Sequence, residues 1–240
     1  MFPIRDNNPS LTTPHITRSL IALNVVIYVL TAGLLETPGF LETWALIPVV
    51  SAPETFVTSQ FLHGGLLHLA GNMLFLWIFG DNMEDQMGHL PFLGFYLLSG
   101  IAAGLAQNLM SPGSPIPMVG ASGAIAGVMG GYLLLFPKAR VDVLLIIVII
   151  FKVIPVPAWI VLGVWFALQL TLGAAVSVME GGVAYWAHAG GFVAGLLMTI
   201  PVFLKLGGTG FWSRTSGRPP NPQARYPERL SSIPKVRHRK

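Results

Sequence analysis

Among the polar side chains that interrupt otherwise apolar runs are His63, His68, Asn72, Ser122 and His188. A serine hydroxyl is a poor nucleophile until a base takes its proton, and imidazole titrates near neutrality. Ser122 is therefore the candidate nucleophile and His188 its candidate general base. An acyl intermediate also needs donors for its oxyanion. Ser122 opens a run in the string Gly120-Ala121-Ser122-Gly123, and backbone N–H groups at a helix start have no intrahelical partner. His68 and Asn72 are four apart, so on a helix they share one face and can donate from it. No carboxylate is placed to orient His188, which favours a dyad over a triad. His63 and His68 are five apart rather than the i, i+4 of a zinc-binding helix, and no third ligand is evident. Neither a metal nor another cofactor is expected.

The elements that must position these groups are membrane spans. Of 240 residues, 53% are hydrophobic and only 10% charged, against roughly 25% charged in soluble domains. Such a chain cannot cover its surface with polar groups in water. With no cysteine, disulfide frameworks, thiolate metal sites and cysteine nucleophiles are excluded. The excess positive charge sits mostly after Lys205, which speaks for membrane topology rather than a nucleic-acid groove.

The expected fold class is an all-α membrane protein, a bundle of six transmembrane helices. Residues 1–18, with Pro3, Pro9 and Pro14, read as a loosely ordered cytoplasmic arm. Residues 19–205 read as the six-helix domain. Its spans are 19–35, 66–80, 91–107, 122–136, 157–178 and 187–204. The first is too long for a cleaved signal and is expected to be retained. Residues 36–65 read as a folded interfacial loop. The apolar run Val143–Phe151 is too short to span, so 141–156 reads as interfacial or re-entrant. Residues 206–240, rich in Gly, Pro, Ser and Arg, read as a disordered basic tail.

Six spans sort the charges. Arg5, Arg18, Lys138, Arg140, Lys152 and all cations from Lys205 onward fall on one side, while the opposite loops hold Glu36, Glu42, Glu54 and Glu180. The positive-inside rule then puts both termini in the cytoplasm. Spans two, four and six all enter from the other side, so His68, Asn72, Ser122 and His188 gather there. Depth agrees. Ser122 to Phe136 rises about 21 Å and His188 to Leu204 about 24 Å, against a hydrocarbon core of about 30 Å. Both groups sit in a recess below the outer surface. Gly123 and Gly127 on span four, and Gly191 and Gly195 on span six, are small-xxx-small faces that let helix backbones approach closely in lipid.

Taken together, these strings resemble the rhomboid family across residues 17–205. The resemblance rests on His63-x4-His68-x3-Asn72, Gly120-Ala121-Ser122-Gly123, Ala187-His188-x2-Gly191 and Gly80-x3-Glu84-x3-Gly88. It implies a six-helix bundle that cleaves transmembrane substrates with a Ser–His dyad. Ser122 resembles the nucleophile and His188 the base. Asn72, His68 and the Ser122 backbone resemble the oxyanion hole, and His63 matches a histidine near the site. Its own residues leave a site role and a structural role equally open for His63. Glu84 and Gly88 read as shaping the turn after span two. Two departures stand out. Some members carry an aromatic one turn after the serine, stacked on the histidine; here that position is Ala126, leaving Tyr185 and Trp186 as candidates to hold the ring. Some carry Trp-Arg in the first loop, where this chain has Trp44-Ala45.

Two other functions compete. A silent relative that binds transmembrane clients without cutting them has no need of Ser122, His188 and Asn72 together. A transporter or channel calls for polar groups through the full depth, whereas these cluster at one end. The expected partners are transmembrane protein substrates and the lipid bilayer, with no nucleic acid. The expected location is a prokaryotic plasma (inner) membrane, multi-pass, with the site opening to the extracytoplasmic side.

Overall fold

The computed structural model describes residues 2–147, 150–175 and 182–220. Expectations for residues 148–149, for the end of the span 157–178 from 176 onward, for Glu180 and for the tail from 221 lie outside the described residues. In chain order the elements are strand β1 (Phe2–Asp6), helices α1 (His15–Thr31), α2 (Phe40–Trp44), α3 (Thr55–Thr58), α4 (Leu66–Met87), α5 (His89–Met110) and α6 (Ser122–Leu135), strands β2 (Arg140–Ile147) and β3 (Ile150–Pro157), and helices α7 (Ala158–Ala175), α8 (Tyr185–Lys205) and α9 (Thr209–Thr215).

Three helices, α5, α7 and α8, are long and apolar enough to cross a membrane. A fourth span results if Thr55–Phe61 and α4, bent by 97°, count as one broken unit. The helices α1 and α6 are apolar but shorter, at 17 and 14 residues. Among the described residues, length and composition by themselves thus qualify three or four spans. The outward faces are apolar: Val26, Val29 and Leu30 of α1, and Trp159, Val164 and Leu168 of α7, are all exposed.

The helix α6 forms the centre. It is buried on every side, from Gly123 through Tyr132 and at Leu135, as expected of a helix apolar all round. Glycines set its spacing to α8. A Cβ on Gly191 would strike the carbonyl oxygen of Gly123, and one on Gly195 that of Gly127. On its other flank α6 meets α5, where a Cβ on Gly127 would collide with Ser99. Backbones lie this close because nothing larger than hydrogen stands between them.

The motif Gly80-x3-Glu84-x3-Gly88 is structural and fixes α1. The buried Glu84 carboxylate accepts the N–H groups of Ile16 and Thr17 at 2.9 and 2.8 Å, and the Thr17 hydroxyl at 2.7 Å. These are orphan donors of the α1 first turn, and a negative charge there also suits the helix dipole. Gly88, at φ +82°, makes the sharp turn from α4 into α5.

The all-α expectation requires correction. Strands β2 and β3 pair antiparallel, with Asp142 opposite Pro155, and β1 adds to the free edge of β2. β-Branched Val141, Val143, Ile146, Ile150, Val153, Ile154 and Val156 favour this pairing. The prolines obey sheet logic, since Pro3, Pro155 and Pro157 all lie on edge strands and the central strand has none. The first arm is correspondingly not loose. Arg5 Nε and Asn7 Nδ2 donate to the Asp142 carboxylate at 2.7 and 2.8 Å, Asn8 Nδ2 donates to Tyr132 Oη at 3.1 Å, and Asn82 Nδ2 donates to the Asn8 carbonyl at 2.9 Å.

The tail boundary at 206 also moves. Helix α9 buries Phe211, sets Trp212 against Phe203 with ring centroids 4.8 Å apart and the planes tilted by 43°, and donates Trp212 Nε1–H to the Leu134 carbonyl at 3.0 Å. Two aromatic residues in a glycine-rich stretch hold it against the bundle. Between α1 and α4 the chain packs rather than drapes. Leu46 is fully buried and exchanges backbone hydrogen bonds with Met118.

Candidate active site

Gly120 aims α6. Its φ of +126° is a conformation that side chains rarely adopt, and a Cβ there would lie 2.7 Å from His68 Nε2 and 3.5 Å from Asn72 Nδ2. Glycine thus does two things at once: it turns the chain and leaves the space in front of those donors open. Gly120 N–H is held by the Ser59 carbonyl at 2.9 Å. Two residues on, Ser122 is the first residue of α6, among N–H groups that face outward from the helix start.

His188 sits in the first turn of α8, where the Ala187 N–H is satisfied by Gln107 Oε1 at 3.2 Å. Its Nε2 lies 2.8 Å from Ser122 Oγ, within hydrogen-bond reach. The glycine ladder explains why two separate helices deliver these atoms together. Gly123 abuts both Ala187 and Gly191, so the α6–α8 contact begins directly beneath the pair.

His68 and Asn72 project from one face of α4 into the same cavity, of about 640 Å³, that Ser122 and His188 line. Asn72 is buried, and its Nδ2 has no acceptor among the described residues. His63 does not line this cavity. It is buried behind His68 and meets that ring edge-on at 5.2 Å. Gly127 and Gly195 lie deeper, in the helix contact. The structure thus brings Ser122, His188, Asn72 and His68 together around Gly120, and sets His63 one layer back.

Two residues absent from the sequence reading also reach the imidazole. Gln169 Oε1 lies 2.9 Å from His188 Nδ1. The Trp165 ring lies 5.8 Å from the His188 ring, tilted by 33°. Both come from α7, four residues apart and so on one face. Tyr185 and Trp186 are not the ring holders; they pack over Gly173 of α7. A signal for Gln169 was present, because it is a polar side chain buried in an apolar helix. Chemically, the arrangement offers a hydroxyl, an acceptor for its proton and an unpaired amide donor in one hollow.

Comparisons with known proteins agree with this architecture. A family profile described as the rhomboid domain matches residues 52–205. The yeast (Saccharomyces cerevisiae) protein named Rhomboid protein 1, mitochondrial, is 31% identical over 195 residues, 76% of this chain and 52% of that protein. Rhomboid protease GluP of Bacillus subtilis is 34% identical over 130 residues, 50% of this chain and 24% of that protein. Rhomboid-like protein 11, chloroplastic, of Arabidopsis thaliana is 40% identical over 72 residues, 30% of this chain and 25% of that protein. The chain spans about half the length, or less, of these relatives.

A helical bundle with apolar outer faces and a polar hollow at one end is the form of an integral membrane protein. The chain belongs to the rhomboid family. The expectation of a prokaryotic plasma membrane gains no support from relatives whose names place them in mitochondria and chloroplasts as well as in a bacterium.

Proposed function

We propose that this chain is an intramembrane serine endopeptidase that cuts transmembrane proteins through a Ser122–His188 dyad. The observation that carries the reading is the 2.8 Å approach of His188 Nε2 to Ser122 Oγ, made by two separate apolar helices within a cavity. Family membership supports the reading, as does a relative whose name includes the word protease.

The chemistry follows from the atoms. Ser122 Oγ attacks the scissile carbonyl carbon while its proton passes to His188 Nε2. The carbonyl π electrons move onto oxygen. That oxyanion takes hydrogen bonds from Asn72 Nδ2, the His68 ring N–H and the Ser122 backbone N–H. As the C–N bond breaks, His188 returns the proton to the leaving amine, giving an acyl-enzyme. Water then repeats the sequence, with His188 taking its proton, and releases the new carboxyl terminus. The bundle crosses the bilayer six times with both ends cytoplasmic, α1 and α6 being its shorter spans and α6 starting at the recess. The substrates are single-pass helices presented beside the cavity.

The test uses detergent-solubilised protein and a model single-pass substrate. Wild type cleaves it; Ser122→Ala and His188→Ala do not, and a fluorophosphonate probe labels wild type but not Ser122→Ala. Persistent cutting by either variant rejects the dyad. No cutting and no labelling by wild type favours a client-binding protein without catalysis.

A further inference from the structure

Gln169 has no task in the scheme above, yet its placement is specific. It is buried in the middle of α7, and its Nε2 donates to the Trp165 carbonyl one turn back at 3.3 Å. That bond decides which end of the amide faces the site. The other end, Oε1, stands 2.9 Å from His188 Nδ1. An amide oxygen only accepts hydrogen bonds, so the Nδ1 atom must be the one that carries the ring proton. Nε2 is then left with its lone pair directed at Ser122 Oγ, 2.8 Å away.

We propose that Gln169 is the positioning residue that sets the tautomer and orientation of the His188 imidazole, completing a Ser122–His188–Gln169 hydrogen-bond chain across α6, α8 and α7. This rests on the reading of His188 as general base. The role is the one a carboxylate fills in a triad, done here by a neutral acceptor. A neutral group avoids placing a charge at membrane depth. When the ring takes the serine proton, the Nδ1–H···Oε1 bond becomes charge-assisted and strengthens, so Gln169 favours the imidazolium only while it is needed. Trp165, on the same face of α7, covers the ring beside it. The position of α7 is therefore coupled to the readiness of the base.

The experiment uses the full chain in detergent with the same substrate. Gln169→Met keeps the volume and removes the acceptor; Gln169→Glu keeps an acceptor oxygen. The Met variant is expected to lose about 10²-fold in kcat, the low end of what a well-placed general base contributes, with KM little changed. The Glu variant is expected to recover most of it. An unchanged kcat in Gln169→Met overturns the proposal, and so do equal losses in both variants. Nitrogen-15 spectra of histidine-labelled wild type, assigned by loss of the signal in His188→Asn, give a reading that needs no Gln169 variant to fold. An Nδ1–H tautomer at His188 is expected, and an Nε2–H tautomer overturns it. Ser122→Ala separates the two claims. Cleavage surviving in that variant sinks the base reading itself, whereas cleavage lost there but unaffected in Gln169→Met sinks only the role of Gln169.

Discussion

The Asn72 amide is the most informative single group in the hollow, because a buried donor with no acceptor is a cost that a fold does not carry idly. Its Nδ2 points into the space kept open by Gly120. If it binds a developing oxyanion, Asn72→Ala lowers kcat by about 10²–10³-fold with little change in KM, the range for one oxyanion donor. A loss confined to KM assigns it to ground-state binding instead. Ser122, His188, His68 and Asn72 were legible in the sequence because each is polar within an apolar run. Gln169 meets the same criterion, but an amide in an apolar helix does not announce itself as the orienting partner of a histidine in the way a carboxylate does. Trp165 could not be found this way, because one tryptophan in an apolar helix is indistinguishable from packing until α7 is seen against α8.

At the scale of elements, the contacts that place these groups are made by what is missing. Gly191 touches the Gly123 carbonyl with no atom to spare. Gly191→Ala forces α8 away from α6, and overpacking of this kind costs about 1–3 kcal/mol. The separation also parts His188 from Ser122, so fluorophosphonate labelling should fall far more than the melting temperature. A labelling rate equal to wild type would show that the two helices tolerate the spacing. Glu84 is a second element-level device. Glu84→Gln weakens the bonds to the Ile16 and Thr17 N–H groups and removes a charge from the α1 start, at a cost of about 1–2 kcal/mol. Faster hydrogen exchange at the α1 first turn, with the α6 and α8 amides unchanged, is the expected pattern. The Gly-x3-Glu-x3-Gly string announced a turn, but that its carboxylate caps a helix 67 residues away is a tertiary fact. The β2–β3 pair was illegible for a different reason: in a chain this apolar, Val143–Phe151 reads equally as a buried strand or as a membrane-seeking segment.

For the molecule as a whole, the sheet at the end opposite the hollow carries a pH dependence. Burial pushes the Asp6 carboxyl up to about 7, against the opposing pull of hydrogen bonds from Asn8 and Tyr132. Asp81 of α4 faces it; Arg5 beside it is paired with Asp142. The folded state therefore holds a proton on Asp6 that the unfolded chain has released above pH 3.8. Stability from this group is fully present below that value, falls as pH rises toward about 7, and is level beyond. Asp6→Asn should flatten the pH dependence of melting curves taken from pH 4 to 8 and raise the midpoint at pH 8. A slope unchanged in the variant would assign it elsewhere.

Strand β1 also imposes an order of events. Arg5 and its partner Asp142 are 137 residues apart along the chain, so during synthesis the first segment has no sheet to join until α1, α4, α5 and α6 have already emerged. Its docking is a late step, and one that reports on completion: a ribosome-bound fragment ending before residue 140 must leave Phe2–Asp6 open to protease, while one extended past 157 and clear of the exit tunnel should close it.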